Sequence, residues 1–304
     1  MPRAPRLAAL ALAAALVSPA MADPVVVNGL NFFSGLKTEF NPSAPSVGGA
    51  PLTARGEFEG RLIESSLKRE GFTDAAVGSY PPSSGSPRSL RLDTFGATIT
   101  SEPEPPPGVD AYPGRVANST TDPVANGRFD TTGNGGKWWL AAATFTIDFD
   151  APIEAFGLYI TDAGDFAGNL GMKLTRSDGS STDVFDLDAF FRSQHTAYDN
   201  RSTGSTMGGQ PDDNAANGWL QFLGFYDDQC SRVIDRCYTQ VEFILGQTDP
   251  GDTNSWDYLG FDDLIVGKVS SGGTGGDVPE PGSLALVGLS LLGLAAARRR
   301  TPRA

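Results

Sequence analysis

The oxygen-bearing side chains most able to do chemistry fall in two clusters. Thr161-Asp162-Ala163-Gly164-Asp165 is one, and the run from Asp249 to Asp257, with Asp252, Asn254 and Asp257 in it, leads into Asp262-Asp263 as the other. Calcium is a hard cation that takes about six to eight oxygens from carboxylates, carbonyls and water. Asp162, Asp165, Asp252, Asn254, Asp257, Asp262 and Asp263 are therefore candidate Ca2+ ligands, and no other cofactor is expected. Neither cluster has the D-x-[DN]-x-[DN]-G order of an EF-hand, and acidic residues serve ordinary turns in the same way. On a regular strand Asp262 and Asp263 point to opposite faces, so one of them at most joins a shared site.

Aromatic platforms are the second resource. Trp138, Trp139, Trp219 and Trp256 flank Gly-rich or polar loops, and an exposed indole can stack on the apolar face of a sugar ring. Tryptophan packs into cores by default, so of the adjacent pair Trp138 and Trp139 one belongs to the core and the other is free for a partner. His195 is the single histidine, with Ser193 and Asp199 near it in sequence. Triad members are assembled from distant segments and no G-x-S-x-G elbow is present, so His195 is expected at the core edge or in solvent. Cys230 and Cys237 are the only cysteines. Sites built from His and Cys are thereby excluded, no catalytic residue is assigned, and the protein is expected not to be an enzyme. The rival is a surface carbohydrate-active enzyme working with paired carboxylates at a set separation.

The two ends address these groups to a compartment. Arg3 and Arg6, the apolar run from Leu7 to Val17 and Ala20-Met21-Ala22 form a secretory signal over 1–22, to be cut before Asp23 by signal peptidase. At the other end Pro279-Glu280-Pro281 precedes an uncharged stretch from Gly282 to Ala297, closed by Arg298-Arg299-Arg300. Its 16 residues are just short of the roughly 17–25 of a spanning helix. The arginines hold that side in the cytoplasm. A helix-breaking Pro-Glu-Pro outside the bilayer is an extended substrate for a membrane enzyme.

Pro279-Glu280-Pro281, the apolar stretch and the arginine cluster together resemble the PEP-CTERM sorting signal of exported bacterial proteins. That resemblance implies recognition and processing by an exosortase, a membrane cysteine transpeptidase. It also implies an inner-membrane intermediate and delivery to the cell surface or extracellular matrix of a Gram-negative-type bacterium.

Between the addresses lies an exported domain over 23–269, followed by a Gly/Ser linker over 270–278 and the sorting signal over 279–304. Leu52 to Arg69 places Phe58, Leu62, Ile63 and Leu67 at helical spacing, which predicts one short amphipathic helix. Short β-branched and aromatic segments then follow at 90–100, 143–149, 153–160, 170–176, 181–187, 219–226, 238–245 and 258–266, with turn residues between many of them. Phe145, Ile147 and Phe149 alternate with Thr144, Thr146 and Asp148, which buries one face of that strand. The expected class is all-β, a jelly-roll-like β-sandwich with that helix near its N-terminus and a C-terminal transmembrane sorting helix. The phrases FTIDFDAPIEAFGLYITDAG and LGFDDLIVG resemble the sandwich bodies carried by PEP-CTERM proteins and, more loosely, lectin or carbohydrate-binding sandwiches. In an exported chain Cys230 and Cys237 are expected to pair, since their spacing is not the C-x-x-C of a redox site.

Net charge is −13, which excludes a partner held by a cationic phosphate footprint and so disfavours nucleic acid. Loss of Arg3, Arg6, Arg298, Arg299, Arg300 and Arg303 with the two ends leaves the body more acidic still. The expected function is that of an exported, non-catalytic surface or matrix protein associating with polysaccharide or other envelope material. A purely structural matrix component is the other alternative.

Overall fold

A computed structural model describes residues 24–38, 41, 46–79, 88–101, 114–122, 127–132, 136–162, 169–195, 219–230, 232–233, 236–246 and 258–270. The signal peptide, the sorting signal and almost all of the linker lie outside them. Two antiparallel sheets face one another. The larger contains β1 (Val25–Val27), β2 (Leu30–Lys37), β3 (Lys68–Glu70), β4 (Gly78–Ser79), β7 (Arg115–Asn118), β8 (Lys137–Ala141), β10 (Ala155–Thr161), β13 (Leu220–Tyr226) and β15 (Leu259–Gly267). Their order is β1-β2-β13-β10-β15-β8-β7-β4, with β3 also pairing β15. The smaller has β5 (Arg88–Leu92), β6 (Ala97–Ser101), β9 (Phe145–Ile153), β11 (Asn169–Arg176), β12 (Phe185–Asp186) and β14 (Tyr238–Gly246), in the order β12-β11-β14-β9-β6-β5. This is the all-β sandwich expected from the sequence.

The core between the sheets is aromatic. Phe145 stacks on Phe243 at 5.2 Å and meets Phe261 edge-on at 4.8 Å, while Phe156 lies 5.9 Å from Phe225. Phe145, Ile147 and Phe149 point inward from β9 as the alternation requires, with the intervening Thr146 and Asp148 half-buried on the far side. The larger sheet behaves otherwise: β10 and β13 are buried at every residue. Helix α1 (Ala50–Glu59) lies on its outer face, bringing Ala54 and Phe58 against Phe33, Phe222 and Ile265. A pair of glycines makes the seat. Gly157 and Gly224 stand opposite one another across β10 and β13, and a Cβ on either would sit 2.9 Å from the Phe58 ring.

The helix is shorter than its periodicity suggests. It stops at Glu59, with Gly60 as its C-cap, and the chain turns so that Leu62 bridges Val269 and residues 68–70 pair with β15. Leu62 and Leu67 still cover the sheet, from a turn and not from a helix, and Ile63 is exposed. The segment 181–187, expected as a strand, contributes only β12. Asp186 then caps a second helix, α2 (Leu187–Gln194), by accepting from the Ala189 N–H. Leu187 and Phe191 of α2 enter the core between the sheets, near the edge where Phe32 of β2 touches Phe190 at 5.2 Å.

Candidate binding face and buried polar clusters

The outer face of the smaller sheet carries two polar rows. Register places Thr175, Gln240, Asp148, Thr98 and Arg91 side by side across β11, β14, β9, β6 and β5. Lys173, Glu242, Thr146, Thr100 and Ser89 form the row beside it. All ten residues are half-buried or exposed, and among the described elements no helix lies across them. With strands about 4.8 Å apart, the rows span roughly 20 Å. Side chains along them are tied laterally. Gln240 Nε2 donates to Asp148 Oδ1 at 2.7 Å, Thr146 Oγ1 to Asp148 Oδ2 at 3.1 Å and Thr175 Oγ1 to Gln240 Oε1 at 3.2 Å. Charge is paired within the face, Lys173 with Glu242 at 3.7 Å and Arg91 with Asp150. The result is a flat array of hydroxyl, amide and carboxylate groups held in fixed orientation.

Three of the acidic candidates, Asp162, Asp262 and Asp263, have partners within the chain. Asp162, at the end of β10, is buried and ion-paired with Arg128, whose guanidinium also takes Asp122 at 2.8 Å and the Tyr258 carbonyl at 3.2 Å. Asp162 thus faces the positive charge of an internal arginine. Asp263 is ion-paired with Arg55 of α1. Asp262 accepts from the Thr131 N–H at 2.6 Å, the Thr131 hydroxyl at 2.8 Å and the Asp263 N–H at 2.7 Å. Among the described residues no group of three or more His, Cys, Asp or Glu side chains is placed to hold a metal. Asp165, Asp252, Asn254 and Asp257 lie outside the described residues.

Asp262 and Asp263 also break the expected alternation. Opposite β10 the register slips between Gly157 and Tyr159, and Asp263 takes φ 51°. Phe261 and Leu264 both belong to the core between the sheets, so the bulge turns the two acids together toward the outer side. Burial pushes the Asp262 carboxyl well above the ordinary carboxylate range, against the downward pull of its Thr131 donors. Burial raises Asp263 as well, with Arg55 opposing it.

Trp138, Trp139 and Trp219 are core residues. Trp139 is wholly buried between the sheets and Trp138 is buried on the other face beside Ala117 and Leu140. Two successive strand residues do face opposite ways, yet neither is free for a partner, because the outer side of β8 is covered as completely as the inner. Trp219 is buried too, and Trp256 lies outside the described residues. Stacking on sugar is therefore withdrawn for Trp138, Trp139 and Trp219. Cys230 and Cys237 form the expected disulfide. His195 is the C-cap of α2; Ser193 donates to the Phe190 carbonyl and not to the imidazole, and Asp199 lies outside the described residues.

Residues 277–300 match the PEP-CTERM protein-sorting motif. The tail thus carries the sorting motif that its Pro-Glu-Pro, apolar stretch and arginine cluster resembled. No curated protein matches the chain. Among solved structures, the K2 cleaved adhesin domain of Lys-gingipain is 9% identical over 66% of this chain and 99% of its own, with a TM-score of 0.31. A family 29 carbohydrate-binding module is 10% identical over 71% of this chain and 98% of its own, with a TM-score of 0.24. TmCBM61, solved with β-1,4-galactotriose, is 10% identical over 59% and 97%, with a TM-score of 0.23.

Proposed function

We propose that this exported sandwich is delivered to the cell surface or matrix by exosortase processing of its tail, and that it associates there with neutral polysaccharide through the outer face of the smaller sheet. The array of Thr98, Thr100, Thr146, Asp148, Thr175 and Gln240 carries the reading. A hydroxyl-rich polymer needs many weak, correctly oriented donors and acceptors, each contributing about 0.5–1.5 kcal/mol. Side chains already tied to one another lose little freedom when they engage it. The chain's net charge of −13 sets it against anionic polymers, and on this face the pairs Lys173–Glu242 and Arg91–Asp150 leave Asp148, bonded to Gln240 and Thr146, as a carboxylate without a cation among the described residues.

Two measurements test the two halves. Cells expressing the chain with and without residues 277–304 are fractionated; identical processing and distribution would remove the delivery step. The purified protein is then run through affinity gels containing either a neutral glucan or alginate. Retardation is expected in the glucan alone, reduced at least about tenfold in affinity by Thr146→Ala with Gln240→Ala while the melting temperature holds. Equal retardation of this variant, or none for the parent, would discard the face as the contact.

A further inference from the structure

The single histidine meets a serine from a distant part of the chain. His195 Nε2 lies 2.7 Å from Ser34 Oγ, 161 residues away, where α2 closes the sandwich beside β2. Gln221 of β13 completes the group: its Nε2 donates to Ser34 Oγ at 2.8 Å and to the Phe222 carbonyl, also at 2.8 Å. A carbonyl oxygen can only accept, so the Gln221 amide is fixed with its NH2 toward Ser34. Ser34 Oγ then accepts from Gln221 and keeps its own hydrogen to give to His195 Nε2 when the imidazole is the neutral tautomer protonated on Nδ1. In that tautomer the arrangement is a directional chain from amide to hydroxyl to imidazole. Ser34 and His195 are half-buried, whereas Gln221 is wholly buried with its Oε1 unpartnered among the described residues.

We infer that Ser34 and His195 form a nucleophile and general-base dyad for acyl transfer from carboxylic esters, with Gln221 as the residue that positions the serine. The geometry meets the distance requirement for such a pair, a hydroxyl within hydrogen-bond reach of an imidazole nitrogen. Burial lowers the imidazole pKa from its ordinary value, which keeps Nε2 available as an acceptor near neutral pH. In the step, Ser34 Oγ bonds to the ester carbonyl carbon as its proton passes to His195 Nε2. The bond from that carbon to the alkoxy oxygen breaks, and the departing alcohol takes the proton from His195. Water, deprotonated by the same imidazole, then attacks the acyl-serine, releases the carboxylic acid and restores the Ser34 hydroxyl. This activity is independent of the polysaccharide contact.

The full exported chain is treated with a fluorophosphonate probe and its adducts are mapped by mass spectrometry. One equivalent on Ser34 is expected, with labelling lost in Ser34→Ala and slowed at least about a hundredfold in His195→Gln, as general-base catalysis supplies about 10²–10⁴-fold. An unlabelled Ser34, or a His195→Gln variant that labels at the parent rate, overturns the dyad. Ser34→Cys covers the case in which those variants do not fold, because the thiol keeps the shape of the site. Its alkylation by iodoacetamide should outpace that of a free exposed cysteine at pH 7, and a rate equal to or below that reference also overturns the proposal.

Discussion

Arg55 of α1 and Asp263 of β15, 208 residues apart in the chain, form an ion pair on the outer side of the larger sheet, with side-chain exposures of 18% and 4%. The pair fastens the helix to the bulge. Arg55 also bonds Glu59 at 2.9 Å and lies 5.6 Å from the centre of the Tyr159 ring, so a single guanidinium serves three partners. Burial pushes Glu59 up, but the bonds from Arg69 and Arg55 outweigh it and hold the carboxyl below its ordinary value.

Removing one member is therefore costlier than removing both. Arg55→Met leaves the Asp263 carboxyl buried without its partner, and breaking such a pair typically costs about 3–5 kcal/mol. Asp263→Asn in the same chain removes the stranded charge, keeps a residue that tolerates the φ of 51°, and should restore part of that loss. Urea unfolding of the parent, the single variant and the double variant measures this directly. A single variant as stable as the parent would show that the pair does not hold α1.

Asp262 makes a separate prediction about pH. Its folded-state pKa is raised by burial, so between the unfolded value of about 4 and the folded value the native chain binds more protons than the unfolded one. Stability attributable to this group is full below that window and falls as pH rises through it. Asp263 is raised by burial too and acts in the same direction. Asp262→Asn places an NH2 against one of the three donors now accepted by the carboxyl oxygens, at a cost of about 1–3 kcal/mol. The variant should thus be weaker at pH 4 and lose less on going to pH 8. Parallel stability curves for variant and parent would contradict the protonation of a buried Asp262.

Much of this was legible beforehand, and the exceptions share a cause. β9 was readable because water on one face and core on the other impose a period of two on Phe145, Thr146, Ile147, Asp148 and Phe149. No such contrast exists for β10 or β13, where α1 dries the outer face, so their apolar runs marked strands but not the layer above them. The end of α1 was hidden because Leu62 and Leu67 serve the same surface from a turn. Helix α2 did carry a signal, Asp186 as N-cap with Asp188 in the first turn, that the β-like Val184-Phe185 beside it masked. Arg128 against Asp162, and Ser34 against His195, depend on how segments distant in the chain pack together, which spacing along the chain cannot express.

Gly35 tests how closely the helix is seated. A Cβ there would fall inside the contact distance of the Ala50 carbonyl, at the first residue of α1. Backbone cannot rotate aside as a side chain can, so Gly35→Ala must shift the start of the helix. Overpacking of this kind costs about 1–3 kcal/mol. Gly56→Ala is the control, since a Cβ there has nothing within 4 Å, and alanine is favoured over glycine in a helix by about 1 kcal/mol. Chemical denaturation should move the two midpoints in opposite directions; a shift of the same sign for both would mean that α1 is not pressed against β2.

The disulfide ties the end of β13 to the start of β14, strands that belong to different sheets. The segment it closes is anchored at both sides without it: Tyr238 donates to Asp227 at 2.8 Å, and the Cys237 carbonyl accepts from Ser177. Loss of the bond should consequently leave the sandwich folded but less stable, because the unfolded chain regains the freedom of a short loop. The chain-entropy account places the difference at about 2–3 kcal/mol for a loop of this length. Cys230→Ala with Cys237→Ala should lower the denaturant midpoint accordingly, with a slope close to that of the oxidised parent. Dithiothreitol should bring the parent to the same midpoint and leave the variant unmoved. If reducing agent shifts both proteins equally, or neither, the bridge is not what restrains this crossover between the sheets.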